Sequence, residues 1–99
     1  MSYLQECIDS GVNLLNRRMK SDWYNDINLE KLDIECMDNC IISQLLGSYN
    51  KFYDWDEPYP GSVYGFSACD EDYPTLNKLW KETIKKLKSE QTLQKQGLS

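Results

Sequence analysis

The chain is small and acidic, and its composition excludes several classes of protein. It has 99 residues, with 11 Lys and Arg against 16 Asp and Glu, which gives a formal charge of −5. Aromatic residues make up 12%, too many for an intrinsically disordered chain. A chain of this length has room for one domain. The sequence contains no histidine, the commonest general base and metal ligand, so we expect that the protein is not an enzyme. No apolar run approaches the ~18 residues of a membrane span and no signal-peptide pattern opens the sequence, so we expect a cytoplasmic protein.

The negative charge is concentrated in the middle of the sequence. Residues 21–77 hold two lysines and twelve acids, a net charge of −10, whereas residues 1–20 carry +1 and residues 78–99 carry +4. An acidic segment of this kind repels phosphate backbones, so we expect no direct binding of nucleic acid. The C-terminal lysines fit the solvated outer face of a helix better than a nucleic-acid patch.

The first predicted helix covers residues 3–20, and a connector follows it. Apolar residues recur there at steps of three and four, and basic residues close the helix where its dipole favours cations. Gly11 lies inside the helix, which indicates the close approach of another backbone. Residues 21–38 predict a buried connector with one short helical turn, which Asn28 could cap as far as Lys31.

Two further helices and a loop complete the predicted fold. Residues 39–52 predict a central helix entered from Asp38 or Asn39, in which Gly47 indicates close helix packing. Prolines and glycines make residues 53–69 a loop, with a helical turn ended by Gly65. Residues 72–89 predict a third helix with Pro74 at its first position, and residues 90–99 a polar, frayed tail after a single helical domain at 1–89. The predicted fold is mainly α, a compact bundle of three main helices with a buried connector and an acidic aromatic loop.

Several short segments together resemble a known group of proteins. They are Trp23, I-N-L-E-K-L-D-I at 27–34, C-I-I-S-Q-L-L-G-S-Y at 40–49, G-F at 65–66 and L-N-K-L-W at 76–80. This pattern is similar to small uncharacterised bacteriophage and prophage proteins, which share a tryptophan, I-D-L-x-x-L-D, C-V-L-G-Q-L-x-G-x-Y, G-F and L-x-x-x-W. The resemblance covers roughly residues 5–88, and the chain departs from it at Ser43, where glycine is frequent, and at Asn28, where aspartate stands. It implies a phage accessory protein outside virion assembly.

Cysteines and clustered carboxylates are the candidates for chemistry. The four cysteines are Cys7, Cys36, Cys40 and Cys69. They do not form two close pairs, so buried free thiols are favoured over a zinc site or a disulfide. The acids at 54–57 and 70–72 lack a calcium-loop pattern and a partner base, so we interpret them as solvated acids and helix-start charges. We therefore predict no catalytic residue, no metal and no cofactor.

A glutamine and a set of loop aromatics are the candidate binding residues. Gln44 lies in a helix that is otherwise mostly apolar, where its amide either bonds the connector backbone or contacts a ligand. Seven of the twelve aromatics fall between Tyr49 and Phe66, and a loop rich in acids and prolines cannot bury all of them. The loop is either a lid on the core or a binding surface. The candidate partner- or ligand-binding residues are Trp55, Tyr59, Tyr53, Trp23, Gln44, Asp54, Asp56 and Glu57.

The sequence favours binding over catalysis. We expect a phage-type accessory protein that binds and inhibits a host target, a component of antiviral defence, through the acidic middle segment and the loop at Trp55 and Tyr59. One alternative is a small-molecule binder that sequesters a nucleotide-derived defence signal. Another is an acidic mimic of nucleic acid, which requires strongly salt-sensitive binding. A chain of this length supports only a modest core, and self-association is one way to bury more surface.

Overall fold

Three α-helices and four 3-10 turns make up the fold of the residues that the structure describes. The computed structural model describes the backbone of residues 3–36 and 38–98, and the side chains of these residues up to Glu90. The α-helices are α1 (Tyr3–Arg18), α2 (Ile41–Leu46) and α3 (Tyr73–Leu98). The 3-10 turns lie at Trp23–Asp26, Tyr49–Trp55, Gly61–Tyr64 and Asp70–Asp72. The described residues contain no strand, so the predicted mainly-α class is confirmed.

The core forms where α1 packs against α3 and the turn at Gly61–Tyr64. Ile8, Leu14 and Leu15 of α1 are fully buried, as is Trp80 of α3. A β-carbon at Gly11 would overlap the carbonyl oxygen of Tyr64, so the close backbone approach predicted for this glycine is confirmed. α1 contributes an apolar stripe to the core, and Gly11, which has no side chain, allows the turn at Gly61–Tyr64 to cross the helix in direct contact.

The connector between α1 and α2 is only partly buried, since most of its apolar side chains enter the core while most of its polar ones are exposed, and side-chain hydrogen bonds hold it. The Asn77 Oδ1 atom on α3 accepts a 2.6 Å bond from the Ile34 amide, and its Nδ2 atom donates to Asp33. Asn28 Oδ1 accepts from the amides of Glu30 and Lys31, as its predicted capping role requires. These bonds form a tight turn rather than a helical one, and the helical turn of the connector lies earlier, at Trp23–Asp26.

The second predicted helix is wrong in its extent and in its capping residue. It begins after Cys40, whose Sγ atom accepts a 3.4 Å bond from the Ser43 amide, rather than after Asp38 or Asn39. It ends at Leu46 because Gly47 has a φ of 92°, a left-handed conformation that stops a helix. A β-carbon at Gly47 would meet nothing within 4 Å, so this glycine ends α2 and does not serve close helix packing. The chain resumes as the 3-10 turn Tyr49–Trp55.

The third helix is longer than predicted. It begins at Tyr73 directly after the acidic turn Asp70–Asp72, with Pro74 at its second residue, and it continues through Leu98, past the expected end at residue 89. The side chains of the predicted polar tail beyond residue 90 lie outside the described residues. Among the described residues, no helix combines the length and the apolar character needed to cross a membrane.

Candidate binding surface

Residues 53–60, here called the 53–60 loop, form the most exposed aromatic surface of the fold. Tyr53 is 66% exposed and Tyr59 58% exposed, and the side chains of Asp54 and Asp56 face solvent as well. Trp55 is half-buried between them. The structure therefore brings together on one loop six of the predicted binding residues, which are Tyr53, Asp54, Trp55, Asp56, Glu57 and Tyr59.

An arginine at the end of α1 fixes this loop to the body of the protein. Arg18 Nε lies 3.3 Å from Glu57 Oε1, and its Nη2 atom donates a 2.9 Å hydrogen bond to the Trp55 carbonyl oxygen. Its guanidinium carbon lies 5.9 Å from the centroid of the Trp55 ring, within the range of a cation–π contact. The Glu57 side chain is only 8% exposed, so this ion pair is partly withdrawn from water. One side chain thus fixes the backbone, an acid and the indole of the loop.

Phe52 anchors the loop from below. Its side chain is buried, and its ring makes edge-on contacts with Trp55 at 6.0 Å and with Tyr53 at 5.9 Å. The same ring packs against Phe66 in the core at 5.6 Å. Neither interpretation, a lid on the core or a binding surface, describes all of these aromatic residues. Phe52 and Phe66 belong to the core and Trp55 covers it in part, whereas Tyr53 and Tyr59 remain outside.

The backbone of the loop is turned sharply at Asp56. This residue has a φ of 52°, the one positive value outside glycine among the described residues, and its amide bonds the Tyr53 carbonyl oxygen. Aspartate tolerates the left-handed region better than most residues. Pro58 and Pro60 follow and restrict the chain further. Between Tyr53 and Tyr59 the surface forms a hollow of about 300 Å³, with Asp56 and Pro58 in its wall.

Trp23 and Gln44 lie away from this surface. Trp23 is 0% exposed, and its indole N–H donates a 2.9 Å bond to Asn16 Oδ1, so its ring is part of the core and is not presented to a partner. The Gln44 oxygen accepts from the Asn28 amide, while its nitrogen donates to the carbonyl oxygens of Asn28 and Asn39. The observed contacts of Gln44 are therefore hydrogen bonds to the backbone, the first of the two interpretations given above. They hold the connector against α2.

Replacing Gln44 by alanine should destabilise the protein by about 1–2 kcal/mol, since the Asn28 amide and two carbonyl groups lose their partner. Urea unfolding followed by circular dichroism measures this free energy. The matched control is Asn13→Ala on α1, which removes an exposed amide side chain and should change stability by less than about 0.5 kcal/mol. Equal effects of the two substitutions would contradict a connecting role for Gln44.

The cysteines and acids form no obvious chemical site. None of the four cysteines forms a disulfide; Cys7 and Cys40 are buried, whereas Cys36 is half-buried and Cys69 exposed. Buried thiols are thus observed at two of the four positions. Within the described residues, no three Cys, Asp or Glu side chains come together as metal ligands would.

Sequence reasoning missed Arg18 as part of the site. Its position at the end of a helix had an adequate explanation in the helix dipole, and nothing in the local pattern pairs it with Glu57. The signal available was indirect: a cation immediately before a strongly acidic segment.

Comparison with known proteins adds no further assignment. No family model matches this chain, and neither a curated protein nor a solved structure shows a significant match.

Proposed function

We propose that this chain is a non-enzymatic accessory protein of phage type that binds and inhibits a protein of the host, a component of its antiviral defence. The observation that carries the proposal is the 53–60 loop, whose two tyrosines are exposed although the loop itself is firmly fixed. On this proposal the protein acts in the cytoplasm of the host cell, where such a target is found.

The fixed loop supports binding because little order remains to be gained on association. Arg18 bonds the Trp55 carbonyl oxygen and pairs with Glu57, so the backbone that presents Tyr53 and Tyr59 is already held in place. Ordering a mobile segment at an interface lowers affinity, and preorganisation avoids that cost. Tyrosine also offers a large contact area with few rotatable bonds, which is why it is enriched at binding hot spots.

The charge of the surface supports a basic partner. Arg18 balances Glu57, but Asp54 and Asp56 have no ion pair among the described residues and face solvent beside the exposed tyrosines. Acidic and basic surfaces attract one another over several ångströms, which speeds association and disfavours partners of the wrong charge. A host protein with a basic patch is the partner that this arrangement suits.

The assignment to phage is supported by the sequence resemblance. The segments at 27–34 and 40–49 lie in the connector and in α2 with the residues directly after it, outside the 53–60 loop. The resemblance therefore supports a shared fold, and the 53–60 loop is a part of the chain that the shared pattern does not include.

The sizes of the surface hollows favour a protein over a nucleotide as the ligand. Four of the hollows among the described residues measure about 270–320 Å³ and are open to solvent. Sites for drug-sized ligands span roughly 300–1,000 Å³ and enclose most of the ligand, so these hollows lie at the lower end of that range and enclose less. A side chain of a partner fits these volumes more readily than a nucleotide-derived signal does.

The test is a plating assay with a loop variant. Expression of the chain in a bacterium that carries the relevant defence should raise the plating efficiency of a sensitive phage. The triple variant Asp54→Asn, Asp56→Asn, Tyr59→Ser should lose this protection, because loss of a hot spot weakens binding by about 2 kcal/mol or some 30-fold. Asparagine suits the left-handed backbone at position 56, so the fold should be retained.

Tyr3→Ser is the matched control. Tyr3 is 70% exposed on α1, outside the 53–60 loop, and its loss should leave protection intact. Full protection by the triple variant would remove the loop from the contact surface. A wild-type chain that protects no phage against any defence tested would overturn the proposed function itself.

A further inference from the structure

A second hollow lies on the other side of Tyr53 from the one in the 53–60 loop. Tyr49, Tyr53 and Tyr73 line it together with Glu35 and Ser67, and the buried Phe66 closes it toward the core. Its volume is about 270 Å³. We call it the tyrosine pocket. Four separate parts of the chain contribute to it: the connector, the turn after α2, the segment at 66–67 and the first residue of α3.

The polar character of the tyrosine pocket is that of a cation site. Glu35 supplies the one charged group of its lining, and no lysine or arginine lines it. Burial raises the pKa of the Tyr49 hydroxyl, so this group adds no charge of its own to the pocket. Aromatic rings attract cations through their negative faces, and a neighbouring carboxylate adds to that attraction. An anionic ligand would be repelled by the Glu35 carboxylate.

The aromatic side chains of the pocket hold one another in place. The rings of Tyr49 and Tyr53 meet edge to face at 6.0 Å, and Tyr49 lies 6.2 Å from the buried Phe52. A β-carbon at Gly61 would overlap the Tyr49 hydroxyl, so the turn at Gly61–Tyr64 lies directly against that ring. The pocket is therefore formed by packed side chains before any ligand arrives.

We propose that the tyrosine pocket receives the guanidinium group of an arginine side chain from the partner protein, an inference that rests on the proposed function. Guanidinium is planar, stacks on aromatic rings and bonds carboxylates through two parallel N–H groups, so it suits three tyrosines and one glutamate better than an ammonium group does. Tyr53 lines this pocket and also the hollow of the 53–60 loop. One partner surface can thus place an arginine in the pocket while its neighbouring residues contact Asp56 and Tyr59.

The experiment uses the purified full chain and a probe in place of the partner. N-acetyl-arginine N-methylamide is titrated into the ¹⁵N-labelled protein, and N-acetyl-citrulline N-methylamide serves as its neutral analogue of equal size. Binding of the arginine probe should be saturable in the millimolar range and shift the amide signals around Glu35, Tyr53 and Tyr73. The citrulline probe should bind about tenfold more weakly, because it lacks the charge that the rings and the carboxylate attract.

Four variants locate the interaction. Glu35→Gln should weaken binding of the arginine probe about threefold to tenfold, and Tyr53→Ser should weaken it similarly, whereas Tyr53→Phe retains the ring and should bind nearly as the wild type does. Glu35 and Tyr53 are exposed, so these changes should not unfold the chain. Tyr59→Ser, outside the pocket, should leave probe binding unchanged.

The outcomes separate this inference from the proposed function. Equal binding of both probes, no saturable shift with the arginine probe, or insensitivity to Glu35→Gln would overturn the tyrosine pocket as an arginine site. The plating assay depends instead on Asp54, Asp56 and Tyr59, none of which lines this pocket. If the triple variant lost protection and the wild-type protein did not bind the arginine probe, the proposed function would stand and the arginine site in the tyrosine pocket would be rejected.

Discussion

Replacing Gly11 by alanine should destabilise the protein by roughly 2–4 kcal/mol, although alanine is the better helix former by about 1 kcal/mol. The added β-carbon would overlap the Tyr64 carbonyl oxygen and lie 3.2 Å from the Trp80 ring. A backbone oxygen cannot turn aside as a flexible side chain can, so α1 and the turn at Gly61–Tyr64 must separate. Because these two segments form much of the core contact, we expect the midpoint of thermal unfolding to fall by about 8 °C or more, at about 4–8 °C per kcal/mol.

The control for this substitution is Asn13→Ala on the same helix. Asn13 is exposed, and its replacement should change stability by less than about 0.5 kcal/mol. Both substitutions introduce alanine into α1, and only Gly11→Ala adds an atom at a crowded position. Calorimetry of the two variants therefore separates the cost of the lost packing from the effect of helix propensity. If Gly11→Ala matched or exceeded the wild type in stability, the close crossing of the Gly61–Tyr64 turn over α1 would be wrong.

Replacing Trp80 by phenylalanine should cost about 2–4 kcal/mol. The indole N–H donates a 2.6 Å hydrogen bond to the Gly65 carbonyl oxygen, and the ring stacks on Phe66 with an interplanar angle of 14°. Phenylalanine keeps an aromatic ring but leaves the carbonyl group without its donor and leaves space beside it. Urea unfolding gives the loss in stability, and hydrogen exchange at residues 64–66 should quicken beyond the change in global stability.

Trp55→Phe provides the comparison for the same chemical change. Trp55 is half-buried, and its side chain contributes ring contacts to Phe52 and Arg18, which phenylalanine retains in part. We expect a loss of no more than about 1 kcal/mol. Similar losses at positions 55 and 80 would show that the bond to the Gly65 carbonyl oxygen contributes little.

The parts of the fold that could be predicted are those in which local pattern and burial agree. The apolar stripe of α1 faces the core along its length, and Gly11 is the one position where a side chain is excluded. Asn28 was predicted to cap a turn because asparagine accepts bonds from following amides, and its oxygen does so. The helix stripe and the asparagine cap each depend on residues that are close together in the sequence, so the local pattern is enough to predict them.

The second helix was predicted too long because a continuous helix and a short helix followed by a 3-10 turn can bury the same apolar residues. Phe52 is buried in the 3-10 turn after α2, so the apolar pattern continues across the break at Gly47. A glycine inside a helix and a glycine that ends one look alike in sequence. Only the positive φ at Gly47, which follows from where Ser48 and Tyr49 must go, distinguishes them.

The candidate surface was predicted in composition but not in arrangement. Acids and prolines around Tyr53 and Tyr59 indicated that these rings could not all be buried, and both are exposed. Trp23 and Trp55 are chemically alike, and their different burial depends on how the segments around them pack, with Asn16 bonding the Trp23 indole and Arg18 lying against the Trp55 ring. Such pairings arise from the packing of whole segments, which a single sequence does not record.

The crossing at Gly11 also constrains the order in which the chain can fold. The core contacts of α1 are with the turn at Gly61–Tyr64 and with Trp80, far later in the sequence, and an isolated helix of 16 residues is only marginally stable in water. Closing so long a loop before native contacts repay the entropy loss slows folding. We therefore expect α1 to become stable together with these later segments rather than as a helix on its own.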